Sequence, residues 1–354
     1  MEYRTLGHTG VWVSHLCLGT MMLGAWGNAD RDDSIRIIHR ALDEGINFID
    51  TADVYSGGES EEIVGESLGG RRDNVVLATK VHGPMGEDPN QQGNSRRWII
   101  KECEASLRRL GTDWIDLYQV HRWDPDVDHE ETLAALTDLV RAGKVRYAGS
   151  STYPASEIVT AQWAARTSGT VRFVCEQAPY SILVRGIEGE VLPICARHGI
   201  GVIAWSPLAA GWLSGRWRKN EEPPNSARAP WVPQLFDLSM PENQKKLDAT
   251  EELVSLAEEA GMPLIEMALG FVTSHPSVTS AIIGPRTMEQ LESQLAAPPV
   301  LDGHVLDRID AIATPGGNFS AADAGFVLPS IGNASFRRRA PASQATFVMA
   351  APNN

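Results

Sequence analysis

The chain has 354 residues, with 31 Lys and Arg against 45 Asp and Glu, for a formal net charge of −14. Basic residues dispersed over so acidic a chain argue against nucleic acid or an anionic membrane as the main partner, and an anionic ligand would need a local basic pocket. Cys17, Cys103, Cys175 and Cys195 have neither disulfide-like nor metal-like spacing, and neither a signal pattern nor a membrane-length apolar run is present, so a soluble, cytoplasmic protein with buried thiols is expected.

The elements alternate. The opening residues, with Gly7 and Gly10 between two β-prone stretches, suit a hairpin, and Val13 to Gly19 reads as a strand. Asp32-Asp33-Ser34 opens a helix with Ile35, Ile38 and Leu42 on one face, and Gly45 stops it. Ile46 to Thr51 is the second strand, Glu59 to Leu68 a short helix, and Val75 to Lys80 the third strand. Ser95 starts a helix whose stripe is Ile99, Ile100, Cys103, Leu107 and Leu110, ended by Gly111. Trp114 to His121 is the fourth strand. A helix from Glu130 to Arg141 turns Leu133, Leu136 and Val140 inward.

Val145 to Gly149 is the fifth strand, with a helix over 154–165. Phe173 to Cys175 is a short sixth strand, with a helix over 186–197. Gly201 to Trp205 is the seventh. Helices follow over 243–260 and 264–273, then an eighth strand over 278–283 and a helix over 288–295. Eight strand–helix repeats predict a parallel (β/α)8 TIM barrel over residues 1–314, its bottom plugged by the N-terminal hairpin. Leu18-Gly19-Thr20-Met21-Met22 lacks the glycine spacing of a doubly wound dinucleotide fold.

The long loop after strand 7, from Trp212 to Pro241, holds Trp212, Trp217, Trp231, Pro223, Pro224, Pro230 and Pro233, and reads as a lid. Residues 315–354, rich in Ala, Ser, Pro, Asn and Gly, read as a loosely ordered tail in which Arg337-Arg338-Arg339 is a solvated run.

Asp50, Lys80 and His121 each close a short apolar strand, and Tyr55 lies in the loop after the first of them. The C-terminal rim of such a barrel is where chemistry is placed. A carboxylate, a phenol, an amine and an imidazole there are the parts needed to protonate a carbonyl oxygen beside a hydride. An ordinary phenol is a weak acid at neutral pH, but an ammonium about 4 Å away contributes roughly 4 kcal/mol at an effective dielectric near 20. Lys80 is therefore expected to make Tyr55 a usable acid, with Asp50 holding Lys80 charged and His121 bonding the substrate oxygen.

The segments Gly45-Ile46-Asn47-Phe48-Ile49-Asp50-Thr51-Ala52-Asp53-Val54-Tyr55, Ala78-Thr79-Lys80, Asp116-Leu117-Tyr118-Gln119-Val120-His121 and Ala204-Trp205-Ser206-Pro207-Leu208 together resemble the aldo-keto reductases, over about residues 1 to 312. The resemblance implies NADPH bound without a Rossmann domain, a small-molecule carbonyl substrate, and catalysis by Asp50, Tyr55, Lys80 and His121. It places Gly19, Thr20 and Met21 beside the nicotinamide ribose, and Ser151, Thr152 and Gln177 at the carboxamide. Thr152 departs from the Asn common there. Trp205 would stack on the nicotinamide, while Ser206, Pro207, Leu208, Ala209 and Arg216 lead toward the pyrophosphate. Gly284, Arg286, Gln290, Ser293 and Gln294 would take the adenosine end, with Arg286 on the 2′-phosphate favouring NADPH over NADH. An alternative within the resemblance is a nicotinamide-sensing regulatory subunit with slow turnover, like the potassium-channel β subunits. A glycosidase on the same fold is disfavoured, because Lys80 and His121 have no role in it.

Overall fold

A computed structural model describes residues 1–226, 228–296, 300–325 and 331. Two short strands, β1 (Tyr3–Thr5) and β2 (Trp12–Ser14), pair antiparallel and form the expected hairpin. The eight that follow are β3 (Leu16–Gly19), β4 (Phe48–Asp50), β5 (Val76–Val81), β6 (Ile115–Val120), β7 (Val145–Ser151), β8 (Phe173–Pro179), β9 (Gly201–Trp205) and β10 (Val278–Ile283). All are parallel, and β10 pairs with both β9 and β3, so the ring closes as a (β/α)8 barrel.

Around it run α1 (Arg31–Asp43), α2 (Glu59–Ser67), α3 (Arg96–Leu110), α4 (His129–Arg141), α5 (Ala155–Ser168), α6 (Val191–His198), α7 (Pro241–Glu259), α8 (Leu264–Ser274), α9 (Met288–Leu295) and α10 (Gly303–Ile312). Asp30, Ser95, Thr287 and Asp302 each accept a hydrogen bond from the backbone N–H three residues on, which fixes four helix starts. No described helix is long and apolar enough to cross a membrane.

The barrel interior is a small apolar cluster of Val13, Cys17, Phe48, Ala78, Leu117, Val174, Cys175, Ile203 and Ile282, closed from below by Leu6. Leu6 is fully buried, which stabilises the hairpin's docking by about 1.5–3 kcal/mol. Gly7 makes this approach possible: its φ is +53°, and a Cβ there would lie 2.6 Å from the Gly199 carbonyl. A larger apolar layer lies between strands and helices, and all four cysteines are free and buried.

The structure refines several expected boundaries. The stretch 13–19 divides at His15, since Ser14 belongs to the hairpin and Leu16 to the barrel. β8 continues past Cys175 through Glu176 and Gln177, whose buried polar side chains disguised a strand in the sequence. The stretch 186–197 is a 3-10 turn, Gly186–Glu188, followed by α6. The sequence signal did not reveal α10.

The loop after β9 contains 3-10 turns at Ala209–Ser214 and Pro233–Leu235. Trp212 and Trp217 stack with ring centroids 3.9 Å apart and are buried, so they anchor the loop rather than cover a cavity. Residues 317–325 dock on the barrel: Gly317 accepts from the Arg185 N–H at 2.9 Å, and Asp323 pairs with the fully buried Lys246 at 2.7 Å. Residues 326–330 and 332–354, which hold the three consecutive arginines, lie outside the described residues.

Candidate active site

Asp50 ends β4, Lys80 is the penultimate residue of β5, and His121 follows β6 directly. Parallel strands in register bring these ends to one rim. Tyr55 enters from the turn after β4, where Ser56 and Gly57 adopt positive φ and curl the chain back over the barrel mouth.

Lys80 is fully buried and forms the centre of the cluster. Its Nζ donates to Asp50 Oδ2 at 2.5 Å, to the Thr51 carbonyl at 2.8 Å and to Tyr55 OH at 3.2 Å. All three ammonium hydrogens are thereby engaged. Burial alone would depress the Lys80 pKa, but the Asp50 carboxylate and the Tyr55 oxygen outweigh it, and the group sits above its ordinary value. The other Asp50 oxygen accepts from Gln119 Nε2 at 3.0 Å and Gln177 Nε2 at 2.8 Å. Because the ammonium donates into the phenol oxygen, the Tyr55 hydroxyl hydrogen is free to point into the cavity.

His121 packs edge-on to Tyr55, with ring centroids 5.9 Å apart. Burial first, then the positive charges of Lys80 and Arg122, push its pKa well below the usual imidazole value, so the ring is neutral at physiological pH. A neutral imidazole can donate one hydrogen bond without taking a proton.

These groups open into a cavity of about 710 Å³, whose wall includes Trp26, Tyr55, His121, Arg122, Trp205 and Trp231. Of the loop tryptophans only Trp231 reaches this wall, 5.5 Å from Trp26 between ring centroids. Beside it lies a second cavity of about 570 Å³, reaching toward α9. The two share Ser206, Ala210, Arg228 and Gly284 among their walls.

The residues assigned from sequence to a cofactor distribute along this double cleft. Gly19, Met21, Ser151, Gln177, Trp205 and Ala209 line the larger cavity. Pro207, Leu208, Arg216, Arg286, Gln290, Ser293 and Gln294 line the smaller, and Ser206 and Gly284 line both. Thr20 lies elsewhere: its hydroxyl is fully buried and bonds Ser60 Oγ at 2.8 Å. Thr152 stands behind the wall at φ +55°, with its Oγ1 accepting from Trp205 Nε1 at 3.3 Å and from Arg122 Nη1 at 3.1 Å. Gln177 directs its amide nitrogen to Asp50.

Sequence reasoning missed Gln119, Trp26, Arg122 and Arg228. Gln119 was detectable as a polar side chain one residue from the end of a buried strand. The other three sit in irregular segments, where periodicity carries no signal.

A family profile described as the Aldo/keto reductase family matches residues 15–314. An uncharacterised oxidoreductase of Bacillus subtilis is 40% identical over 331 residues, 90% of this chain and 98% of that protein. A protein of Arabidopsis thaliana described as a probable voltage-gated potassium channel subunit beta is 35% identical, over 88% of this chain and 96% of its own length. An aldo-keto reductase of Metarhizium robertsii is 36% identical, over 84% and 86% respectively.

Proposed function

This chain belongs to the aldo/keto reductase family, which implies NADP-dependent carbonyl reduction, and from that premise we propose that it reduces an aldehyde or ketone with Tyr55 as the proton donor. The observation that carries the reading is the Lys80 ammonium 3.2 Å from Tyr55 OH, at the floor of a cavity.

Tyr55 gives its hydroxyl proton to the substrate oxygen as that oxygen gains negative charge, and Lys80 stabilises the phenolate left behind. Asp50, held by Gln119 and Gln177, keeps Lys80 charged and oriented. Neutral His121 donates to the same substrate oxygen and sets its angle of approach. NADPH, when bound, supplies the hydride.

The smaller cavity suits the phosphate-bearing end of that cofactor. Among the described residues, Arg216, Arg228 and Arg286 line it with no carboxylate partner, and Gln294 carries a buried side-chain oxygen without a hydrogen bond. Arg286 stands just before the α9 N-terminus, where backbone N–H groups also favour an anion. Trp205, Ser151 and Gln177 would then flank the nicotinamide.

Relatives described as probable potassium channel β subunits suggest a second reading, in which this chain is a regulatory subunit that binds the nicotinamide cofactor and turns over slowly. Steady-state NADPH oxidation across aldehydes, quinones, ketosteroids and keto-sugars tests the first. Sustained turnover is expected. A single rapid hydride transfer followed by negligible turnover would favour the regulatory reading, and no hydride transfer at all would refute both.

A further inference from the structure

Arg122 has no part in the mechanism above, yet it stands in the cavity wall beside His121 and Tyr55. Its guanidinium is half-buried, and Nη1 donates to the His121 carbonyl at 2.7 Å and to Thr152 Oγ1 at 3.1 Å. Both acceptors are uncharged. Among the described residues no carboxylate lies within ion-pairing distance, and Nε and Nη2 have no protein partner.

Several half-buried arginines of this chain are paired, Arg109 with Glu61 and Glu102, Arg72 with Asp116 and Arg218 with Glu251, whereas Arg122 shares its want of a carboxylate with Arg228 and Arg286, which line the smaller cavity. After the Tyr55 phenol, the one carboxyl group among the described residues that acts on Arg122 is Glu176, but its oxygens are engaged by Ser150 Oγ at 2.5 Å and the Tyr153 N–H at 3.0 Å. Burial pushes the Glu176 carboxyl up to about 8, so it is largely neutral at neutral pH and leaves the guanidinium uncompensated. Burial correspondingly lowers the Arg122 pKa. A partly desolvated cation facing a cavity with open N–H donors is a site for a planar anion.

We propose that Arg122 is a specificity-determining residue that selects aldehydes or ketones bearing a carboxylate, which it holds while the carbonyl meets Tyr55 and His121. This deepens the proposed reductase function and rests on it. Arg228 lies at the junction of the two cavities and is assigned to the cofactor side, which leaves Arg122 as the cation of the larger cavity free for substrate.

The experiment compares kcat/KM for 4-carboxybenzaldehyde with that for its neutral methyl ester, in wild type, Arg122→Gln and Arg122→Lys. A charge-assisted contact of this kind gives the acid an advantage of roughly 10–100-fold. Arg122→Gln should bring the acid-to-ester ratio close to one through a raised KM for the acid, and Arg122→Lys should restore part of it. A wild-type ratio near one, or a ratio unchanged in Arg122→Gln, would overturn the proposal. Calorimetric titration of the NADP⁺-loaded full chain with terephthalate, against its dimethyl ester, separates the two readings. Arg122-dependent binding of the dianion without turnover of either aldehyde would support the anion site while contradicting reduction. Equal binding of dianion and diester would overturn the anion site even if reduction stands.

Discussion

Replacing Lys80 with Met removes the charge on which the proton transfer depends while roughly preserving volume. At the observed 3.2 Å between Nζ and the phenol oxygen, a unit charge on Tyr55 would interact with the ammonium by about 5 kcal/mol at an effective dielectric near 20. The adjacent Asp50 carboxylate, at 2.5 Å from Nζ, cancels part of this. About 3–5 kcal/mol of transition-state stabilisation should therefore disappear, a fall of roughly 10²–10⁴ in kcat. The fold also loses something, because Asp50 is 2% exposed and keeps only its two amide donors. Stranding one partner of a buried ion pair costs about 3–5 kcal/mol. Lys80→Met with Asp50→Asn relieves that stranded charge, and should recover stability without recovering turnover. The assay is single-turnover NADPH oxidation on the best aldehyde, with thermal unfolding and NADPH affinity measured alongside. A folded, NADPH-binding Lys80→Met protein within about threefold of the wild-type rate would refute the reasoning.

Arg286→Ala should weaken NADPH by roughly 10–100-fold, the value of a charge-assisted contact, while NADH changes little; equal weakening in a fluorescence titration would remove Arg286 from the 2′-phosphate. Glu176 holds its proton more tightly folded than unfolded, so its contribution to stability is complete below about pH 4.5 and is lost as pH rises toward about 8. Denaturant titrations should show wild type losing stability across that window relative to Glu176→Gln, at up to about 1.4 kcal/mol per pH unit; parallel profiles would contradict this. Gly7→Ala forces a Cβ to 2.6 Å from the Gly199 carbonyl at φ +53°, and should destabilise the barrel by about 1–3 kcal/mol. An unchanged denaturation midpoint would mean that the hairpin does not seal the barrel floor as described.

The barrel was legible because its strands are short apolar runs separated by amphipathic helices, and its rim because a polar residue closes each of three runs. Where polarity entered a strand interior the pattern failed, as at Glu176 and Gln177 in β8. Thr20 shows a different limit: its place in the chain put it at the cleft, but its hydroxyl turns toward Ser60. The loop tryptophans were equally ambiguous, since the same residue type anchors at 212 and lines a wall at 231. Contacts such as Arg122 to Thr152 join separate loops, and no local spacing encodes them.

The central claim is that Tyr55, beside Lys80, supplies the proton. Tyr55→Phe tests it most directly, in single-turnover hydride transfer from bound NADPH to the best aldehyde. The expected result is a 10²–10⁴-fold loss of rate with NADPH affinity retained. A rate close to wild type in a protein that still binds NADPH would contradict the account.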